Sequence, residues 1–188
     1  GDYFTSVSVG PLFGRMLAAQ FAEIWEKLDR PNEFTIVEQG AHDGQFAHDA
    51  LAALQTEAAE CFAAVRYRIV EPFALLRQRQ EETLRAFAAR VEWVEELEPF
   101  SGIFFANELL DALPVHLVIA EGGTWRERFV EISGEELAFT NRALTNEPLR
   151  DRLEKIPPPA DPYETEISLA ALAWVETLAS NLRRGVAL

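Results

Sequence analysis

The sequence predicts a doubly wound α/β fold with a mostly parallel sheet and an inserted antiparallel strand region. Three observations carry that prediction. Short apolar runs alternate with helical patterns between residues 34 and 106, and two of those runs end abruptly in carboxylates. Beyond Pro114 the pattern changes to strands separated by Gly122-Gly123 and Ser133-Gly134. At 188 residues, 48% of them hydrophobic, the chain has the size and apolar content of one domain. That domain is expected to span residues 1–188, with residues 115–162 as inserted strands and loop.

Pro11 to Leu28 is the first helix, since proline suits a first turn and Leu12, Met16, Ala19, Ala22 and Trp25 recur at helical spacing as its core-facing stripe. Phe34 to Glu38 is a strand, Gly40-Ala41-His42-Asp43-Gly44 a turn, and about Gln45 to Ala64 a helix with Phe46, Ala50, Leu54 and Ala58 on one face. Arg66 to Val70 is the next strand, ending at Glu71-Pro72, and Phe73 to Ala89 a helix of alternating charge. Val91 to Val94 is a short strand, and Gly102 to Ala106 is a strand whose apolar residues imply burial on both faces. Four strands joined by helices or long connections pair in parallel through right-handed crossovers.

Val115 to Ala120, Thr124 to Ile132 and Glu136 to Phe139 read as antiparallel strands. The run from Pro157 to Pro162 is a stiff loop. A long helix follows from about Glu166 to Arg183 and returns the chain to the sheet at Val186. Gly1-Asp2-Tyr3 begins in mid-pattern and Gly185-Val186-Ala187-Leu188 opens an apolar strand, so a longer polypeptide is expected around this chain.

Composition removes several functions. With 31 acidic residues against 17 basic ones and a net charge of −14, the surface repels a phosphate backbone, and no nucleic acid partner is expected. Such a surface draws cationic substrates or basic protein segments, although much of the charge serves to solvate helices. Cys61 is the single cysteine, which excludes an internal disulfide and a cysteine metal cluster and suits a reducing compartment, the cytoplasm or alternatively the mitochondrial matrix. His42, His48 and His116 lack metal-ligand spacing and no apolar run is long enough to cross a membrane, so no metal and no membrane insertion are expected.

The carboxylate-tipped strands mark the candidate site. Gly40 and Gly44 let the backbone turn sharply and approach a ligand at a helix start. A dinucleotide fingerprint needs a third glycine, and another where His42 stands, which disfavours nicotinamide and flavin cofactors. A ligand without phosphates tolerates this turn, and S-adenosylmethionine is the common one in such folds. Glu71, 27 residues after Gly44, is placed to accept both hydroxyl protons of a ribose; its plainer role is a solvated Glu before a proline turn. Glu38 can orient an ammonium group or cap the turn. Asn107, Glu108 and Asp111 follow the strand at Phe105, with the capping of a short helix as their plainer role. Trp93 either covers an adenine ring or fills core, Trp25 and Trp174 pack, and His48 and His116 show no evident partner. No serine nucleophile elbow is present.

Three blocks of the chain resemble the MidA-like family of S-adenosylmethionine-dependent methyltransferases. Gly1-Asp2-Tyr3-Phe4-Thr5-Ser6 with Pro11-Leu12-Phe13-Gly14 is similar to the family's Gly-Asp-Phe-x-Thr-Ser and Phe-Gly. Val37-Glu38-Gln39-Gly40-Ala41-His42-Asp43-Gly44 lies where the family has Glu-Leu-Gly-Pro-Gly-Arg-Gly. Asn107-Glu108-Leu109-Leu110-Asp111-Ala112-Leu113-Pro114 matches Asn-Glu-aromatic-aromatic-Asp-Ala-Leu-Pro and is the most specific of the three. Departures are His42 for the central glycine, Gln39 for a leucine, and Val7-Ser8 for a Pro-Glu pair.

The resemblance implies a Rossmann-like methyltransferase sheet. It further implies a cofactor pocket lined by Thr5, Ser6, Glu38, Gly40, Gly44 and Glu71, with Asn107 beside the transferred methyl. It implies methyl transfer to an arginine of a protein, with a respiratory complex I subunit as the expected partner. A guanidinium stays protonated and needs carboxylates in a fork, for which Glu108 and Asp111 are expected. The alternative is a scaffold protein that keeps the fold without chemistry, favoured by His42 in the glycine turn.

Overall fold

A computed structural model describes residues 10–158 and 162–188. In chain order its elements are α1 (Leu12–Lys27), β1 (Phe34–Gln39), α2 (Gln45–Glu57), α3 (Ala59–Ala64), β2 (Val65–Val70), α4 (Ala74–Thr83), β3 (Val91–Val94) and β4 (Phe100–Phe105). They continue with β5 (His116–Glu121), β6 (Thr124–Ser133), β7 (Glu136–Arg142), α5 (Glu147–Glu154), β8 (Tyr163–Ile167), α6 (Leu169–Asn181) and β9 (Leu182–Ala187). The chain divides into two units: the described residues up to Leu109 together with Thr177–Leu188, and Leu110–Glu176.

In the first unit five strands lie in the order β3-β2-β1-β4-β9, all parallel. Register decides what this sheet presents. Glu38 lies opposite Ile69 of β2 and Phe105 of β4, so β1, β2 and β4 end level, and the residues after them emerge along one edge. The return of the chain at Val186 is as expected, with Val186 opposite Ile103 of β4.

The core between sheet and helices is aromatic where β4 meets α2: Phe46 and Phe105 stack with centroids 4.1 Å apart, and Phe21 stands edge-on to both. Phe21, Phe34, Ile36, Leu51, Tyr67, Ile69 and Ile103 are fully buried around this cluster.

The buried face of α1 keeps Trp25 and the half-buried Ala22 of the expected stripe but not its earlier residues. Leu12 and Met16 are 68% and 62% exposed, whereas Gly14, Ala18, Phe21, Ile24 and Trp25 face inward. The cause is the closeness of α2: a Cβ on Gly14 would lie 2.7 Å from Cβ of Asp49. Only the small-residue side of α1 fits there, and the larger Phe21 and Trp25 fill the core further along.

The helix expected over Gln45 to Ala64 breaks at Ala58, which leaves helical dihedrals at φ −142°, ψ 58°. The helix expected from Phe73 to Ala89 ends at Thr83 and continues only as a 3-10 turn at Arg85–Phe87.

The second unit is a four-stranded antiparallel sheet in the order β7-β6-β5-β8, in which β5, β6 and β7 are the antiparallel strands expected beyond Pro114. Gly122 and Gly123, both at positive φ, make the two-residue turn between β5 and β6. Two of its elements depart from expectation. Residues 163–167, of which only Glu166 and Ile167 were expected to begin a helix, pair with β5 as strand β8, because the free edge of β5 offers backbone partners that local helical pattern does not outweigh. Ser168 then starts α6, its Oγ accepting from Ala171 N and donating to Pro114 O, both at 3.0 Å. Helix α5, not expected, is capped by Asn146, whose Oδ1 accepts from Leu149 N at 3.0 Å, and it buries Leu149 and Leu153 against Val118. Among the described residues no helix is long and apolar enough to cross a membrane.

Candidate functional site

The turn after β1 is the centre of the site. Gly40 and Gly44 adopt φ +83° and +84°, the left-handed region that glycine enters without steric cost, and Gly44 N donates to Ala41 O at 2.8 Å to close the turn. Asp43 Oδ1 accepts from Gln45 N as α2 begins. His42 is also left-handed, at φ +49°, so it takes up a glycine-like backbone at a cost of roughly 1–2 kcal/mol. Its side chain is 81% exposed and therefore points into solvent rather than filling the turn.

Glu38, the fifth residue of β1, is 3% exposed, and its Oε2 accepts a 2.7 Å hydrogen bond from the Tyr67 hydroxyl. Burial pushes the Glu38 carboxyl up to about 7, with the Tyr67 hydrogen bond working against that rise and the Asp43 charge adding to it. Burial likewise holds the Tyr67 phenol well above its usual value, reinforced by the Glu38 charge beside it.

Glu71, one residue past β2, is 5% exposed, which excludes the solvated role. Its Oε1 accepts from Phe73 N and its Oε2 from Gln80 Nε2, each at 3.0 Å. Gln80, on α4 and fully buried, also donates to His42 O at 3.0 Å and accepts from Trp93 Nε1 at 2.9 Å. Trp93 is half-buried and bound through its indole N–H rather than simply packed. Sequence reading missed Gln80. A glutamine on a highly charged helix carries no local mark of burial, and only its position nine residues after Glu71 would have pointed to it.

At the end of β4, Asn107 is half-buried, and Glu108 is exposed at φ +53°. Asp111, also exposed, lies in a 3-10 turn at Leu110–Ala112 and belongs to the second unit. Thr5 and Ser6 lie outside the described residues.

The two histidines without an evident partner each meet a carboxylate. His48 Nδ1 is 3.1 Å from Asp49 Oδ1, and His116 Nδ1 is 2.6 Å from Glu127 Oε1, a pairing across β5 and β6 that only the sheet register creates. Burial pushes the Cys61 thiol up to about 12, with the Glu26 charge adding, which removes it as a nucleophile. Among the described residues there is no cluster of three or more His, Cys, Asp or Glu that could hold a metal ion.

Residues 16–188 match a family of S-adenosyl-L-methionine-dependent methyltransferases. The chain is 25% identical over 157 residues to the mitochondrial protein arginine methyltransferase NDUFAF7 homolog of Drosophila melanogaster, covering 72% of this chain and 36% of that protein. It is 23% identical over 205 residues to protein arginine methyltransferase NDUFAF7, mitochondrial, of Danio rerio, covering 97% of this chain and 49% of that protein. The chain thus spans about half, or less, of these curated relatives. Among solved structures, a COG1565 superfamily member from Burkholderia thailandensis bound to S-adenosyl-homocysteine superposes with a TM-score of 0.80 at 36% identity, over 100% of this chain and 48% of that one. A native structure of a COG1565 superfamily protein from the same organism gives a TM-score of 0.79 at 37% identity, over 100% and 50%.

Proposed function

This chain belongs to the Methyltransf_28 family of S-adenosyl-L-methionine-dependent methyltransferases, and from that premise we propose that the level edge of its parallel sheet holds S-adenosylmethionine for methyl transfer to a protein arginine side chain. The observation that carries this reading is the pair of nearly buried carboxylates, Glu38 and Glu71, at the ends of adjacent strands beside the left-handed glycine turn. The names of the curated relatives supply the arginine.

The residues fit the cofactor. Gly40 and Gly44 place no Cβ at either end of the turn, on a backbone that other residues enter only with strain. Each oxygen of Glu71 spends one lone pair on Phe73 N or Gln80, which leaves one apiece for the two hydroxyls of a ribose. Glu38, lifted to about 7 by burial, is a carboxyl that an incoming ammonium group would ionise, gaining a charge-assisted hydrogen bond. Thr5 and Ser6 join this set by resemblance. The bound cofactor supplies an electrophilic methyl group.

The chain's own contribution is orientation and charge. Asn107, at the mouth of β4, offers amide donors and an acceptor to the incoming nitrogen. The carboxylate of Glu108 accepts guanidinium N–H groups and draws positive charge away from the attacking nitrogen, and Asp111 stays the second carboxylate that the sequence reading offers. A net charge of −14 raises the local concentration of a basic acceptor. The resemblance makes a respiratory complex I subunit the first acceptor to try. The scaffold alternative loses its main ground, because the His42 imidazole that would have blocked the turn stands in solvent.

The test is to titrate S-adenosylmethionine calorimetrically and to follow labelled methyl transfer to arginine-containing protein. Glu108→Gln is expected to cut transfer by about tenfold or more, as for a lost hydrogen bond between charged groups. Cofactor affinity should stay within about twofold. Cofactor binding lost together with transfer would reject this division of labour.

A further inference from the structure

We infer that Gln80 is a positioning residue for the cofactor ribose: its buried amide sets the Glu71 carboxylate and the glycine turn in one fixed frame. The inference rests on the reading of Glu71 as the ribose acceptor and adds a residue to it. Gln80 spends both amide hydrogens, one on Glu71 Oε2 and one on His42 O, each at 3.0 Å, and its Oε1 receives the Trp93 indole N–H at 2.9 Å. Its orientation is forced. Trp93 offers only a donor, while Glu71 and the His42 carbonyl offer only acceptors, so a reversed amide would face two acceptors with an acceptor and a donor with donors.

The amide thereby adds a side-chain tie beyond the ends of strands that the sheet holds in register. It joins the residue after β2, the turn after β1, and β3, all from a side chain on α4. The turn itself sits against the same residue, since a Cβ on Gly44 would lie 3.4 Å from the Gln80 Cα. The consequence for Glu71 is directional. With Oε1 held by Phe73 N and Oε2 by Gln80, the carboxylate plane cannot rotate, and its two remaining lone pairs point in one fixed pair of directions. Two vicinal hydroxyls need a bidentate acceptor of that kind. Without Gln80 the carboxylate keeps a single tether and must spend binding energy to be ordered each time a ligand arrives.

The experiment titrates S-adenosyl-homocysteine and its 2′,3′-dideoxy analogue, by calorimetry, into the intact protein and its variants. Native protein is expected to bind the ribose compound and to prefer it over the analogue. If native protein binds neither, the cofactor reading fails and this inference with it. Gln80→Met, which keeps the volume and removes all three hydrogen bonds, should weaken S-adenosyl-homocysteine about tenfold or more and leave the dideoxy analogue within about twofold. Gln80→Glu should act in the same direction by turning an acceptor toward Glu71 and the His42 carbonyl. Equal weakening of both compounds, or an unchanged preference for the ribose, would overturn the inference while leaving the cofactor reading in place. Should both Gln80 variants fail to fold, Trp93→Phe decides: it keeps an aromatic ring and removes the N–H that anchors Gln80 Oε1, while the ring area lost with it bears on both compounds alike. A narrowed ribose preference in that variant supports the role, and an unchanged one rejects it.

Discussion

Residue by residue, the site stores its chemistry in groups that are expensive to bury. Glu38 is the clearest. Its folded-state value of about 7 lies above the 4.5 of an ordinary Glu, so between those values the folded protein holds a proton that the unfolded chain has released. Unfolding then releases protons, and stability falls as pH rises through that window; the full shift corresponds to about 3 kcal/mol. Ligand-free protein should therefore melt lower at pH 8 than at pH 5. Glu38→Gln, which still accepts the Tyr67 hydrogen bond, should melt higher than native at pH 8, with the difference vanishing near pH 5. At about 2–4 °C per kcal/mol for a chain of this size, thermal scans across that range would resolve it. An identical pH profile in native and variant would remove the buried, protonated Glu38 from the account. His42 illustrates the opposite case, a residue whose oddity is only conformational. His42→Gly is expected to leave cofactor affinity within about twofold and to relieve the left-handed strain, gaining up to about 1 kcal/mol in a denaturation series.

At the scale of elements, close approach decides which face a helix buries. Gly14→Ala should destabilise the protein by about 1–3 kcal/mol, because the added methyl meets Asp49 Cβ at 2.7 Å in a contact between two helices. Met16→Ala, one of the residues expected to face the core, should stay within about 0.5 kcal/mol, since Met16 is 62% exposed. Chemical denaturation of the two variants side by side measures the contrast, and a larger loss at Met16 would show α1 turned the other way. The hydrophobic count along α1 placed Trp25 correctly but Leu12, Met16 and Ala19 on the wrong side, for a physical reason. Periodicity locates a helix but does not see its neighbour, whereas the close approach of α2 at Gly14 decides which side of the first turns is buried. The strands were legible: β1, β2, β3 and β4 lie within two residues of their expected bounds, because short runs rich in β-branched and aromatic residues between turn signals have few other solutions. Strand β8 and helix α5 were not, since the first depends on pairing with β5 and the second on burying Leu149 and Leu153.

For the whole molecule the governing quantity is charge. At −14, the proposed association with a basic acceptor would be electrostatically steered and screened by salt. Raising ionic strength from about 0.05 to 0.5 M should lower kcat/KM for an arginine-rich acceptor several-fold, mainly through KM. Initial rates across a sodium chloride series test this, and a salt-independent kcat/KM would mean that the acidic surface has no part in capture.

The amino-acid sequence by itself determined the parallel sheet, the glycine turn, the carboxylates Glu38 and Glu71 at strand ends, and the Asn107-to-Pro114 block, all of which are written in contiguous residues. Tertiary structure alone decided that Glu71 is buried and held from two sides, that Gln80 bridges it to the turn and to Trp93, that His42 faces water, and that His116 meets Glu127. The division has one physical origin. Strand and turn propensity act over a few neighbouring residues, whereas burial and hydrogen-bond satisfaction are set by whichever distant segment the fold lays alongside.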